Sequence, residues 1–242
     1  NELLGPQDYI NAASNQFEQV VADVYTIYQQ RLQRANAMDF DDLILLPVLL
    51  FQQHHEVLTK WQNKIRYLLV DEYQDTNVCQ YQLIKLLAGS QGQFTAVGDD
   101  DQSIYAWRGA DSENLRLLNQ DYTNLNIIKL EQNYRSTTTI LGAANQVIQN
   151  NPKLFEKKLW SDFGSGEPIR LISCPNDEAE ADMVVRKIML HQLNSSTKFS
   201  DYAVLYRSNF QSRVLEQAFR NYKIPYTISG GKSFFDKAEI KD

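Results

Sequence analysis

Arg66-Tyr67-Leu68-Leu69-Val70-Asp71-Glu72-Tyr73-Gln74-Asp75 is the stretch that decides the fold. A short apolar run closes on two adjacent carboxylates. Such a run, bounded by polar residues, suits a buried strand. Asp71 and Glu72 at its carboxyl end then lie where open α/β sheets place their ligands. Working outward, residues 80–87 read as a helix, 94–97 as a second strand and 126–130 as a third. Upstream, Phe17, Val20, Val21, Val24, Tyr28 and Leu32 recur at helical spacing, which predicts one long helix over about 9–35. Asp39 is read as the N-cap of a helix through Phe51, followed by another at about 55–63. Downstream, helix and strand alternate: 140–148 helix, 169–173 strand, 177–193 helix, 202–206 strand, 214–222 helix and 226–229 strand. That alternation predicts an α/β fold with a mostly parallel sheet. The polar stretch 161–167 is a loop that fits a helix–strand connection or a domain boundary equally well.

Composition narrows the class. The chain has 242 residues, 43% of them hydrophobic, which is enough for a core and excludes wholesale disorder. Gly and Pro number 10 and 6, too few for a fibrous or low-complexity chain. The longest apolar run, from Leu43 to Phe51, contains Pro47 and falls far short of the ~20 residues that cross a bilayer. Cys79 and Cys174 make no disulfide framework, which points to a reducing, cytoplasmic compartment. His54, His55 and His191 add no zinc-ligand spacing. The net charge of −6 argues against binding nucleic acid by bulk charge, though not against a local basic or aromatic track. Beginning at Asn-Glu-Leu-Leu and ending at Glu239-Ile-Lys-Asp242, the chain reads as an internal piece of a longer protein.

Three blocks hold residues suited to chemistry. In the first, Asp71 suits Mg²⁺ and nucleotide phosphates, and Glu72 suits the activation of a water, although a solvated acidic turn would look the same. In the second, Val97-Gly98-Asp99-Asp100-Asp101-Gln102-Ser103-Ile104-Tyr105-Ala106-Trp107-Arg108-Gly109-Ala110, consecutive aspartates diverge too much for a Ca²⁺ loop, so they read as structural carboxylates in a turn. Gln102 is an uncharged group able to sense a γ-phosphate. Tyr105, Trp107 and Arg108 suit a stacking platform for single-stranded bases, worth ~1–3 kcal/mol per base, or else a piece of core. In the third, Leu130-Glu131-Gln132-Asn133-Tyr134-Arg135-Ser136, Tyr134 suits base stacking and Arg135 suits a phosphate, yet a helix cap with an exposed Arg also fits.

In this order the three blocks resemble motifs II, III and IV of superfamily 1A DNA helicases of the Rep/UvrD/PcrA type. The likeness extends to Met38-Asp39-Phe40-Asp41-Asp42-Leu43-Ile44, to Leu205-Tyr206-Arg207-Ser208-Asn209 and to the closing Ile228–Asp242. Asn151-Pro152, Phe155-Glu156-Lys157-Lys158 and the Ser-Gly-Gly ending resemble the Rep branch most. The resemblance implies ATP and Mg²⁺ as cofactors, with Asp71 on the metal and Glu72 as base for the hydrolytic water. It implies Gln102 as γ-phosphate sensor coupled to DNA, Tyr134 against the adenine and Arg135 on the γ-phosphate. Tyr105, Trp107 and Arg108 would contact single-stranded DNA, and Arg207 and Asn209 its backbone. Ala106 stands where Gly or Ser is usual, a small change without expected effect.

The implied architecture is α/β: parts of two RecA-like P-loop NTPase motor domains behind an N-terminal helical segment. Residues 1–35 would end domain 1B, 36–130 would form the second part of motor domain 1A, and 131–242 the first part of 2A. Implied partners are single-stranded DNA, duplex junctions and accessory replication or repair proteins, with no membrane. No GxxxxGK[ST] occurs; Gly231-Lys232-Ser233 imitates its end, but Tyr226 stands five residues before Gly231, so Gly230-Gly231 reads as a turn. The rival readings are a RecB/AddA-type helicase–nuclease and a DNA-binding module without turnover. Asp71, Glu72, Gln102 and Arg135 argue against the latter.

Overall fold

The computed structural model describes residues 3–90 and 92–229. They fall into two compact units divided between Pro168 and Ile169. In the first unit, α1 (Pro6–Ala12) and α2 (Gln16–Arg34) replace the single long helix expected over 9–35. The break is chemical: the Asn15 side chain accepts the Glu18 N–H at 2.9 Å, and the Glu18 carboxylate reaches back to the Ser14 N–H at 2.7 Å. This reciprocal capping starts a new helix rather than continuing the old one. The N-cap of the next helix is Asp41, two residues after the expected Asp39, but Asp39 still bonds the helix start. Its Oδ1 accepts the Asp42 N–H at 2.9 Å while Asp42 Oδ2 accepts the Asp39 N–H, opening α3 (Asp42–Gln53). Then α4 (His55–Lys64) leads into the sheet.

The sheet is a βαβ unit. Strand β1 (Leu68–Val70) runs parallel to β2 (Phe94–Ala96), with Leu69 opposite Thr95, and α5 (Val78–Ala88) crosses between them. Asn77 caps α5 by accepting the Gln80 N–H at 2.8 Å. Val70, Phe94 and Ala96 pack on a core of Tyr73, Tyr81, Leu115 and Leu118. The last two belong to α6 (Glu113–Asp121), a helix the sequence reading leaves unassigned. It is pinned from α5, where Tyr81 and Lys85 both bond Asp121. Beyond it, α7 (Thr138–Ile148) completes the unit. The second unit pairs α8 (Asp177–Asn194) with α9 (Asn209–Asn221) around Ala181, Val185, Ala218 and Ile224.

Four expected strands, at 126–130, 169–173, 202–206 and 226–229, are not strands among the described residues. A strand exists only when a neighbour completes its hydrogen-bond ladder. Here Gln132 and Trp160 make one isolated parallel bridge, and no described neighbour pairs with the other segments. Their apolar residues are correspondingly bare: Leu171 is 100% and Leu205 90% exposed. The fold is therefore α/β with a small parallel sheet. The Gly230-Gly231 turn and the rest of the closing segment lie outside the described residues. No helix among the described residues is long and apolar enough to cross a membrane.

Candidate functional site

Because β1 and β2 are parallel, the loops leaving them emerge at one edge of the sheet. Asp71 and Glu72 leave β1, and the turn holding Gln102 follows β2. Val97 extends the ladder by donating to the Val70 carbonyl at 2.8 Å and accepting the Tyr73 N–H at 2.9 Å, so the two loops are clamped together. Glu72 has φ +49°, a left-handed conformation that costs a non-glycine residue roughly 1–2 kcal/mol. Asp71 Oδ1 accepts the Glu72 N–H at 2.9 Å, and the Glu72 carbonyl accepts the Asp75 N–H at the same distance. Strain held by local bonds in this way is characteristic of functional sites.

The side chains continue the clamp. Gln74 is 1% exposed; its Nε2 donates to Glu72 Oε2 at 2.8 Å and its Oε1 accepts the Asp99 N–H at 3.0 Å. Gly98 makes room for this amide, since a Cβ there would stand 3.0 Å from Gln74 Oε1 and 3.3 Å from the Tyr73 Cβ. Asp99 in turn accepts from Gln102 Nε2 at 2.7 Å. Nearby, Asp75 Oδ1 is buried without a hydrogen-bond partner among the described residues.

Asp99, Asp100 and Asp101 are the one described set of three ligand-type groups close enough to share a metal ion. Lys157 Nζ sits among them, bonding Asp99 and Asp100 and lying 3.3 Å from Asp101 Oδ2. A lysine thus supplies the cation, in keeping with the structural role read for these carboxylates. Burial works to raise the Asp99 and Asp100 pKa values, but Lys157 together with the other hydrogen bonds they accept outweighs it and holds both below the ordinary aspartate value. Burial likewise opposes the Lys157 charge, and Asp100 and Asp99 overcome it, raising that pKa. Asp100 Oδ2 also accepts the Leu154 N–H at 3.0 Å, docking the segment around Lys157 against the turn.

Three residues past Gln102 the character changes. Trp107 is 75% exposed, and Tyr105 is exposed beside it, which removes both from the core. The Arg108 guanidinium lies 4.8 Å from the centroid of Trp107 and 5.6 Å from that of Tyr105. Tyr134 and Arg135 occupy the loop before α7, both exposed, with the Tyr134 hydroxyl donating to Gln132 Oε1 at 2.8 Å. Among the described residues Arg135 makes no ion pair. In the second unit, exposed Arg207 and Asn209 stand at the start of α9, which Ser208 caps.

Asp71, with one oxygen on its neighbour's N–H and an exposed carboxylate, fits a hard cation completed by waters and phosphates. Sequence reasoning gave no role to Gln74 or Lys157. For Gln74 the available signal was a polar residue at what becomes a buried position. Lys157 is 57 residues from Asp100, and no spacing rule connects them.

Residues 1–123 match the UvrD/REP helicase N-terminal domain, and residues 128–242 match the UvrD-like helicase C-terminal domain. Over all 242 residues the chain is 53% identical to the ATP-dependent DNA helicase Rep of Escherichia coli and 52% to that of Salmonella typhimurium, covering 36% of each. It is 50% identical, again along its whole length, to the ATP-dependent DNA helicase PcrA of Staphylococcus aureus, covering 33% of it. The chain therefore spans about a third of the length of these relatives. With both family domains matched in order along it, the chain belongs to the UvrD/REP helicase family.

Proposed function

We propose that the chain is the central part of an ATP-dependent 3′→5′ DNA helicase of the Rep/UvrD/PcrA type, which translocates on single-stranded DNA and unwinds duplexes in the bacterial cytoplasm during replication or repair. In this reading residues 1–35 end a helical domain 1B, 36–130 belong to RecA-like motor domain 1A and 131–242 to motor domain 2A. The observation that supports it most is the clamp between the two loops at one sheet edge, with Glu72 and Gln102 joined through Gln74 and Asp99. When bound, ATP would supply the phosphoryl group and Mg²⁺ the positive charge that offsets the negative charge of its transfer. Asp71 holds the metal, and Glu72 takes the proton of the attacking water. Gln102 senses the γ-phosphate, Tyr134 packs on the adenine and Arg135 reaches the γ-phosphate. Tyr105, Trp107 and Arg108 lie only a few residues along the chain from the sensor, so a shift of the turn is passed to the surface on which bases stack. Arg207 and Asn209 hold the DNA backbone.

The test uses two proteins. The whole protein that contains this chain should hydrolyse ATP faster when single-stranded DNA is added. The 242-residue chain by itself should not hydrolyse it measurably, because phosphoryl transfer depends on positioning and no GxxxxGK[ST] cradle occurs between Asn1 and Asp242. DNA-stimulated turnover by the 242-residue chain, abolished by Glu72→Gln, would reveal a phosphate site of another kind and overturn this reading.

A further inference from the structure

We infer that Gln74 is a positioning residue for hydrolysis, fixing the Glu72 carboxylate to the turn that holds Gln102. The inference rests on the reading of Glu72 as general base. The amide's orientation is dictated by its partners. A backbone N–H can only donate, so the Asp99 N–H at 3.0 Å requires the Gln74 oxygen. The Gln74 NH₂ must then face Glu72, whose Oε2 lies 2.8 Å away and accepts. The amide has no second orientation that satisfies both. With the side chain buried, solvent cannot replace either bond.

Position is therefore transmitted in both directions. The Asp99 N–H that anchors Gln74 belongs to the residue whose carboxylate holds the Gln102 amide. A displacement of the sensor turn moves the Gln74 anchor and with it the carboxylate of the base. Glu72 sits on a left-handed residue, where the backbone has little freedom to compensate. The ionisable groups linked to the pair are Asp71 at the Glu72 N–H, Asp75 on the same turn, Asp99 beyond the amide and Lys157 bonded to Asp99.

Gln74→Glu separates positioning from folding. It preserves shape and the acceptor for the Asp99 N–H, but replaces the donor facing Glu72 with a like charge. In the whole protein, DNA-stimulated kcat at neutral pH should fall about 10- to 100-fold, with the KM for ATP within about threefold. Gln74→Met, which cannot bond either partner, should lower kcat by a similar factor while binding of a fluorescent ATP analogue is retained. Near-normal kcat in Gln74→Glu would overturn the inference, as would parallel losses of kcat and analogue binding in both variants. If Glu72→Gln abolishes turnover while Gln74→Glu leaves kcat intact, only this inference falls. If Glu72→Gln itself turns over normally, the general-base reading falls and takes this one with it.

Discussion

Two neighbouring turns after β2 are built on opposite principles. The turn over Asp99 to Gln102 is closed inward: its carboxylates are used by Lys157, by Gln102 and by backbone N–H groups, and Gln74 anchors it to the other loop. The turn over Ala106 to Arg108 is closed by its own backbone, with Arg108 N–H on the Tyr105 carbonyl at 2.8 Å, and it leaves the Trp107 ring largely bare. Under the proposed function, the difference follows from the tasks. Hydrolysis needs groups held to fractions of an ångström before the reaction begins. A strand that slides past needs a surface offering solvent-accessible π-faces, because every base must be accepted and released. Rigidity and tolerance are thus set side by side within ten residues.

The sharpest way to break this contrast is at the rigid end. Glu72→Gln in the whole protein should retain ATP binding and lose at least two orders of magnitude in turnover, the lower bound of general-base work at ~10²–10⁴. Near-normal steady-state hydrolysis would show that the tight network serves folding instead. Lys157→Met comes next. Removing one partner of a fully buried pair costs about 3–5 kcal/mol. With 19% of the Lys157 side chain exposed, on the order of 2 kcal/mol is expected. It should be read as a lower opening free energy for amide hydrogen exchange over residues 151–158.

The same clasp carries a pH signature. Because Asp99 and Asp100 are held below the ordinary aspartate value, their stabilisation is complete above about pH 4 and is lost as pH falls through their folded values. Exchange protection over 151–158, corrected for intrinsic rates, should decline with acid in the wild type. Lys157→Met should flatten that decline, and an unchanged profile would place the acid sensitivity elsewhere.

At the tolerant end effects should be smaller. Trp107→Ala should weaken single-stranded DNA binding by about 1–3 kcal/mol, with little preference among bases, as read by anisotropy of labelled oligonucleotides. A strong base preference in the wild type, erased by the substitution, would mean that the platform reads sequence. Ala106→Gly should be the mildest change, within about 0.5 kcal/mol in DNA affinity, since Ala106 is an exposed residue of the same turn. A larger change would show that this turn is held more tightly than its hydrogen bonds indicate.

What was legible in the sequence is what short-range chemistry decides. The run into Asp71 and Glu72, the α5 crossover and the second strand all announce themselves within a dozen residues. Asn15 with Glu18 three residues on also carries a start signal, but the apolar period running through it hides the break. Residues 126–130, 169–173, 202–206 and 226–229 have strand composition, yet composition does not provide a neighbour, and ladders are non-local. The site divides the same way. The residue types at Asp71, Glu72, Gln102 and Trp107 stand within short blocks, although each block alone also fits a bland reading and only the three in order point to a role. The bonds of Gln74 to Asp99 and of Lys157 to Asp100 bring together positions 25 and 57 residues apart, which only the folded chain makes adjacent.

The bareness of Trp107 has a spectroscopic consequence. An indole in water emits at longer wavelength than one in an apolar core and is open to collisional quenchers such as acrylamide. Trp61 and Trp160, at 41% and 48% exposed, are better shielded than Trp107 at 75%. The red edge of the chain's intrinsic emission should therefore come mainly from Trp107. A base stacked on it would quench that edge and shield the ring from acrylamide, so the residue proposed to stack on DNA would also report, without a label, whether a strand is there.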